Sequence, residues 1–120
     1  MVGLFSVDLA SYRATNGVTM AKRVGLLVTL EAKPDKGGQV AEFLESAQQL
    51  VEQEPATVTW YAVRLGPTSF GIFDTFLDDE GRRAHLSGAV AEALGKAAPD
   101  LLASEPDIRL VDVLASTAAR

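Results

Sequence analysis

Residues 57 to 76, TVTWYAVRLGPTSFGIFDTF, constrain the fold of this chain more than any other stretch, because they carry a strand pattern with no wet face. Successive side chains of a strand point to opposite faces. In the first arm Val58, Trp60 and Ala62 therefore lie on one side and Tyr61, Val63 and Leu65 on the other. The second arm repeats this, with Phe70, Ile72 and Phe76 on one face and Gly71, Phe73 and Leu77 on the other. Gly66-Pro67-Thr68-Ser69 between them supplies the turn. An antiparallel sheet with one solvated face alternates apolar and polar residues, so this hairpin is expected to be covered on both sides.

The rest of the chain limits what the cover can be. Its 120 residues suffice for one compact core and fall short of two ordinary domains. Val24 to Leu30, VGLLVTL, is a short apolar run suited to a buried strand. Pro34-Asp35 ends it and opens a helix, with Asp35 as the expected N-cap. In that helix Val40, Phe43, Leu44, Ala47, Leu50 and Val51 recur at spacings of three and four and form one apolar stripe, and Pro55 stops it. After the hairpin, acidic Asp78, Asp79 and Glu80 suit the positive end of a second helix, in which Leu86, Val90, Leu94 and Ala97 stay in register. Ser87-Gly88 is a candidate break within it, and IRLVDVL after Pro106 gives a last strand. Residues 1–20 have mixed polarity and a turn-like Thr15-Asn16-Gly17; they are expected to be an extension of low order, and Met20 is a candidate start.

The order β-α-β-β-α-β predicts an α+β, ferredoxin-like fold over residues 21–120, an antiparallel sheet with helices on one face. Helices cover one face only. The simplest second cover is another copy of the same sheet, so the expected assembly is a homodimer joined sheet to sheet into an α+β barrel.

Charge and composition narrow the function. Sixteen Asp and Glu against eleven Lys and Arg give a formal net charge of −5 with no basic cluster, which argues against nucleic acid and anionic membrane surfaces as partners. No apolar run approaches the roughly 20 residues that cross a bilayer, and the first residues lack the pattern of a secretory signal, so a cytoplasmic location is expected. Zero cysteines exclude disulfides, thiolate nucleophiles and Cys-ligated metal, and the single histidine, His85, excludes a two-His site within one chain. No metal, flavin or haem cofactor is expected.

The segments LEAKPDKGGQVAEFL, VEQEPATVTWYAVR, FGIFDTFLDDEGRRAHLS and LLASEPDIRLVDV together resemble the antibiotic biosynthesis monooxygenase-like domains of the dimeric α+β barrel superfamily, over about residues 24 to 114. The resemblance rests on the Ala32-Lys33-Pro34 turn, Glu54-Pro55 before the second strand, the aromatic and acidic end of the third strand, and Ala84-His85-Leu86-Ser87. It implies a cofactor-independent monooxygenase of a small aromatic, quinol or polyketide-type substrate; haem-degrading and isomerase members are also part of that family. Three departures disfavour haem. Val28 and Thr29 stand where the family's asparagine is found, Phe76 replaces a tryptophan, and the place of the haem-ligating histidine falls at or near Gly95.

Asp74 interrupts an apolar face, and a hairpin pairing Leu65 with Phe70 sets it across from Tyr61; a one-residue slip sets it across from Trp60 instead. With His85, whose imidazole titrates nearest neutrality, Asp74 is a candidate base for a phenol or quinol, and Tyr61 is the third candidate catalytic group. The alternative for Asp74 and Tyr61 is a structural hydrogen bond, and for His85 a packing role. Trp60, Phe73 and Phe76 are candidate walls for a small hydrophobic or aromatic ligand. Arg82 and Arg83 either bind an anionic ligand or pair with Asp78 and Asp79. Besides the monooxygenase, a non-catalytic dimeric ligand-binding domain and an isomerase using Asp74 and His85 fit the same residues.

Overall fold

The computed structural model describes residues 23–117; the expected extension over residues 1–20 lies outside them. The elements are β1 (Arg23–Glu31), α1 (Gly37–Val51), β2 (Thr57–Arg64), β3 (Ser69–Phe76), α2 (Asp79–Leu86), α3 (Ala89–Leu101) and β4 (Asp107–Val113). All neighbouring strands are antiparallel in the order β2-β3-β1-β4, which is the ferredoxin-like arrangement. The expected break at Ser87-Gly88 is present and divides the second helical stretch into α2 and α3.

The core lies between the helices and one face of the sheet. Leu26, Val28 and Leu30 of β1 and Phe70, Ile72 and Phe76 of β3 meet Val40 and Leu44 of α1 there, all buried. The opposite face carries Leu27, Tyr61, Val63, Leu65 and Phe73, all exposed. Both faces of the hairpin are thus apolar, and the helices cover only one of them.

Three local expectations are corrected. Asp35 is not the cap of α1: it occupies the left-handed region at φ 69° in the preceding turn, a conformation that Asp tolerates, and Lys36 is the N-cap residue without a side-chain cap bond. Leu50 and Leu86 are exposed rather than part of the core: at about 100° per residue Leu50 lies to the side of the buried Val40, Leu44, Ala47 and Val51, and Leu86 lies beside the buried His85 on α2. The hairpin register is Arg64↔Phe70 and Trp60↔Asp74, not Leu65↔Phe70 and Tyr61↔Asp74. The cause is the turn: the carbonyl of Ser69 accepts from both Leu65 N (2.8 Å) and Gly66 N (3.1 Å), which closes the loop one residue earlier than the sequence pattern suggests. A register shift between Thr57 and Thr59 ends the pairing and sets Thr57 beside Phe76.

That turn also bears on α1. A Cβ on Gly37 would stand 2.3 Å from the carbonyl oxygen of Pro67, whereas one on Gly38 would meet nothing within 4 Å. Gly37→Ala should destabilise by about 1–3 kcal/mol through this clash with backbone. Gly38→Ala should be neutral or stabilise by up to about 1 kcal/mol. Urea unfolding of the two variants side by side checks the packing of the turn onto α1.

Candidate functional site

Three elements converge on His85. Asp78 caps α2 by accepting from Gly81 N at 2.8 Å, and a Cβ on Gly81 would stand 2.9 Å from that of Ala56, so α2 lies close against the chain entering β2. Arg82 fixes the other side of α2. It donates to the carbonyls of Gly25 (3.2 Å) and Val111 (3.3 Å) and pairs with Asp79 at 2.6 Å. Of the two arginines, Arg82 is therefore a tie between α2, β1 and β4, and Arg83 is exposed. So held, α2 presents His85 to β3 and to the α1–β2 connection.

There its ring lies between two carboxylates: Nε2 is 3.0 Å from Asp74 Oδ2 and Nδ1 is 2.6 Å from Glu54 Oε1. Thr57 donates to the same Glu54 oxygen at 2.7 Å, and the His85 ring is tilted against Phe76 with centroids 5.1 Å apart. Burial deepens along the row, with side-chain exposures of 20% for Glu54, 9% for His85 and 1% for Asp74.

This geometry sets the charge of the ring. A neutral imidazole has one N–H and one lone pair, and ionised carboxylates only accept, so only the imidazolium donates to both neighbours. Burial by itself lowers the pKa of His85. The hydrogen bonds to Asp74 and Glu54, together with their negative charges, outweigh burial and raise it above the ordinary 6.5.

Beside this row, α1 and β2 enclose an open groove of about 550 Å³ lined by Leu44, Gln48, Trp60, Tyr61, Arg64 and Phe70, among others. Trp60 connects the two regions, since its ring lines the groove while it stands opposite Asp74 in the sheet. Its Nε1 and Asp74 Oδ1 are both buried without a hydrogen-bond partner. A donor and an acceptor on directly opposed residues are suited to one hydroxyl group, which can accept from the first and donate to the second.

Of the six residues expected in a site, the structure brings together Asp74, His85 and Trp60. Phe76 is fully buried beneath His85 and does not line the groove. Tyr61 is paired with Phe73 on the open face, away from Asp74, and is also among the residues that line the groove. Glu54 did not stand out as a site residue. The available signal was its position: a carboxylate near the C-terminal, negative end of α1 is electrostatically misplaced unless a cation meets it.

No family model matches the chain, and no curated protein matches it. Among solved structures, a protein of unknown function from Nitrosomonas europaea is 43% identical, with a TM-score of 0.80 over 83% of this chain and 97% of that one. The chain belongs to the family of that protein. A second Nitrosomonas europaea structure, named a candidate antibiotic biosynthesis monooxygenase, is 17% identical with a TM-score of 0.71 over 80% of this chain and 94% of that one. A Caulobacter crescentus structure of the same name is 18% identical with a TM-score of 0.67 over 79% and 92%. The fold of the family is thus that of the antibiotic biosynthesis monooxygenase-like domains, as the motifs implied. No helix among the described residues is long and apolar enough to cross a membrane.

A raised histidine pKa makes stability depend on pH. The contribution of His85 is complete below the unfolded value of 6.5 and is lost as pH rises through the raised folded value. Urea midpoints of the wild type should therefore fall between about pH 6 and pH 9. His85→Gln, which has no charge to lose, should flatten this limb and cost about 2–4 kcal/mol at the acid end, because buried Asp74 and half-buried Glu54 then lack their cation.

Proposed function

We propose that the protein is a cofactor-independent monooxygenase that takes a small aromatic, quinol or polyketide-type substrate in the groove between α1 and β2. The observation that carries this reading is that Trp60 Nε1 and Asp74 Oδ1, on residues paired across β2 and β3, are both buried and unpartnered. A phenolic hydroxyl seated between them donates to Asp74 and accepts from Trp60, while the indole face supports the flat ring. Removal of its proton, or of one from an adjacent CH₂, leaves an electron-rich anion.

Such an anion reduces O₂ without help from the protein's own redox groups. In the balanced reaction R₂CH₂ + O₂ → R₂C=O + H₂O, carbon loses four electrons, one oxygen atom becomes the carbonyl and the other leaves as water. The chain's part is to hold the substrate, to take the proton at Asp74 Oδ1, and to keep the imidazolium of His85 beside the charge so formed. Both ring nitrogens of His85 donate to carboxylates, so the imidazolium has no free lone pair to ligate haem.

Binding without turnover is the competing reading, and the burial of Asp74 favours it: Asp74 is 1% exposed and is not part of the groove wall. Oxygen uptake with a panel of hydroquinones and anthrone-type phenols separates the two. Asp74→Asn keeps the shape and removes the base, so turnover should fall about 10²-fold with little change in KM. Wild-type turnover by the variant, or no uptake by the parent protein with any member of the panel, would exclude the monooxygenase.

The exposed apolar face of Leu27, Tyr61, Val63, Leu65 and Phe73 supports a second proposal, that two copies join sheet to sheet. Sedimentation at micromolar concentration should give about twice the 12.7 kDa chain mass. A monomer would contradict it.

A further inference from the structure

We infer that Glu54 is a positioning residue of the active site: it holds His85 charged and oriented toward Asp74, so that Asp74 stays ionised with Oδ1 free. This inference rests on the reading of Asp74 as the base. Glu54 acts on the substrate only through His85.

An ionised carboxylate as buried as Asp74 is costly unless a cation accompanies it. The cation is His85, at 3.0 Å. An isolated buried pair has a way out, however: the Nε2 proton can move to Asp74 and leave a neutral ring beside a carboxylic acid. Asp74 in that form has no capacity for a substrate proton. The charge of Glu54 at 2.6 Å from Nδ1 opposes this transfer, because it stabilises the positive ring relative to the neutral one.

Glu54 is held in place by Thr57, which donates to Oε1 at 2.7 Å, while its Oε2 is buried without a partner. The titratable groups that face His85 are Glu54 from the α1–β2 connection and Asp74 from β3. On its own helix, Arg82 is directed to the carbonyls of Gly25 and Val111 and to Asp79, and Arg83 is exposed. The row thus contains one cation and two anions, and the outer anion settles where the proton resides.

His85 is the only histidine of the chain, so its ring gives a single assignable NMR titration that requires no substrate. The wild-type ring should carry protons on both nitrogens at and above pH 6.5, the ordinary value. Glu54→Gln retains an acceptor of the same shape without charge, and should lower the midpoint by at least about one pH unit. Thr57→Val, which leaves the charge of Glu54 in place, should shift it by much less. An unchanged midpoint in Glu54→Gln, or a neutral wild-type ring at pH 6, overturns the inference; should Glu54→Gln fail to fold, the wild-type ring state and Thr57→Val decide it. With an active quinol, the alkaline limb of kcat should move down in Glu54→Gln by the same amount as the NMR midpoint, with KM nearly constant. Absence of oxygen uptake by the wild type removes the proposed reaction, and the ring titration still decides the role of Glu54.

Discussion

One histidine held between two carboxylates is the interaction on which the arrangement of this protein's site depends. Glu54 follows α1, Asp74 belongs to β3 and His85 to α2, so a single row of side chains joins three elements that are distant in sequence. Its weight comes from burial. Two anions and a cation withdrawn from water are costly unless their geometry is good, and the 2.6 Å and 3.0 Å contacts meet that condition. The ties around the row serve the same end. Arg82 fastens α2 to two strands, Asp78 caps it, and Thr57 holds Glu54.

Seen from this row, the hairpin acquires its meaning. Asp74 sits among Phe70, Ile72 and Phe76 on the helix side of β3, where a carboxylate would be a fault in any sheet that did not supply a cation. Its second oxygen is left over, and so is the indole N–H of the residue directly opposite. Buried polar groups are normally paired, so two unpaired groups on residues paired across the sheet mark a place where a hydroxyl, of a ligand or of water, gains hydrogen bonds that apolar carbon does not. Trp60 is also among the residues that line the adjoining groove.

Most of the fold was legible because it rests on periodicity. The apolar run of β1, the stripe of α1 and the doubly apolar hairpin define the element order with little help from tertiary context, and the Ser87-Gly88 break was visible as well. What was not legible depended on single hydrogen bonds. Nothing in Gly66-Pro67-Thr68-Ser69 announces that one carbonyl accepts twice, yet this moves the register by a residue, places Trp60 rather than Tyr61 across from Asp74 and leaves Tyr61 on the open face. Phe76 was expected as a ligand wall and is instead the floor under His85, a distinction set by how closely α2 packs. Glu54 belonged to a recognisable motif, but its role needed the third dimension.

The central claim is that Trp60 and Asp74 together recognise a hydroxyl on an aromatic ring. Because Trp60 is the only tryptophan, its fluorescence reports on this position alone. The most direct measurement is a titration with 1-naphthol and with naphthalene, which share a ring system and differ by the hydroxyl. The account predicts that 1-naphthol binds at least about tenfold more tightly, the worth of one good hydrogen bond to a charged buried group, and that Asp74→Asn narrows the difference. Equal or tighter binding of naphthalene would contradict it.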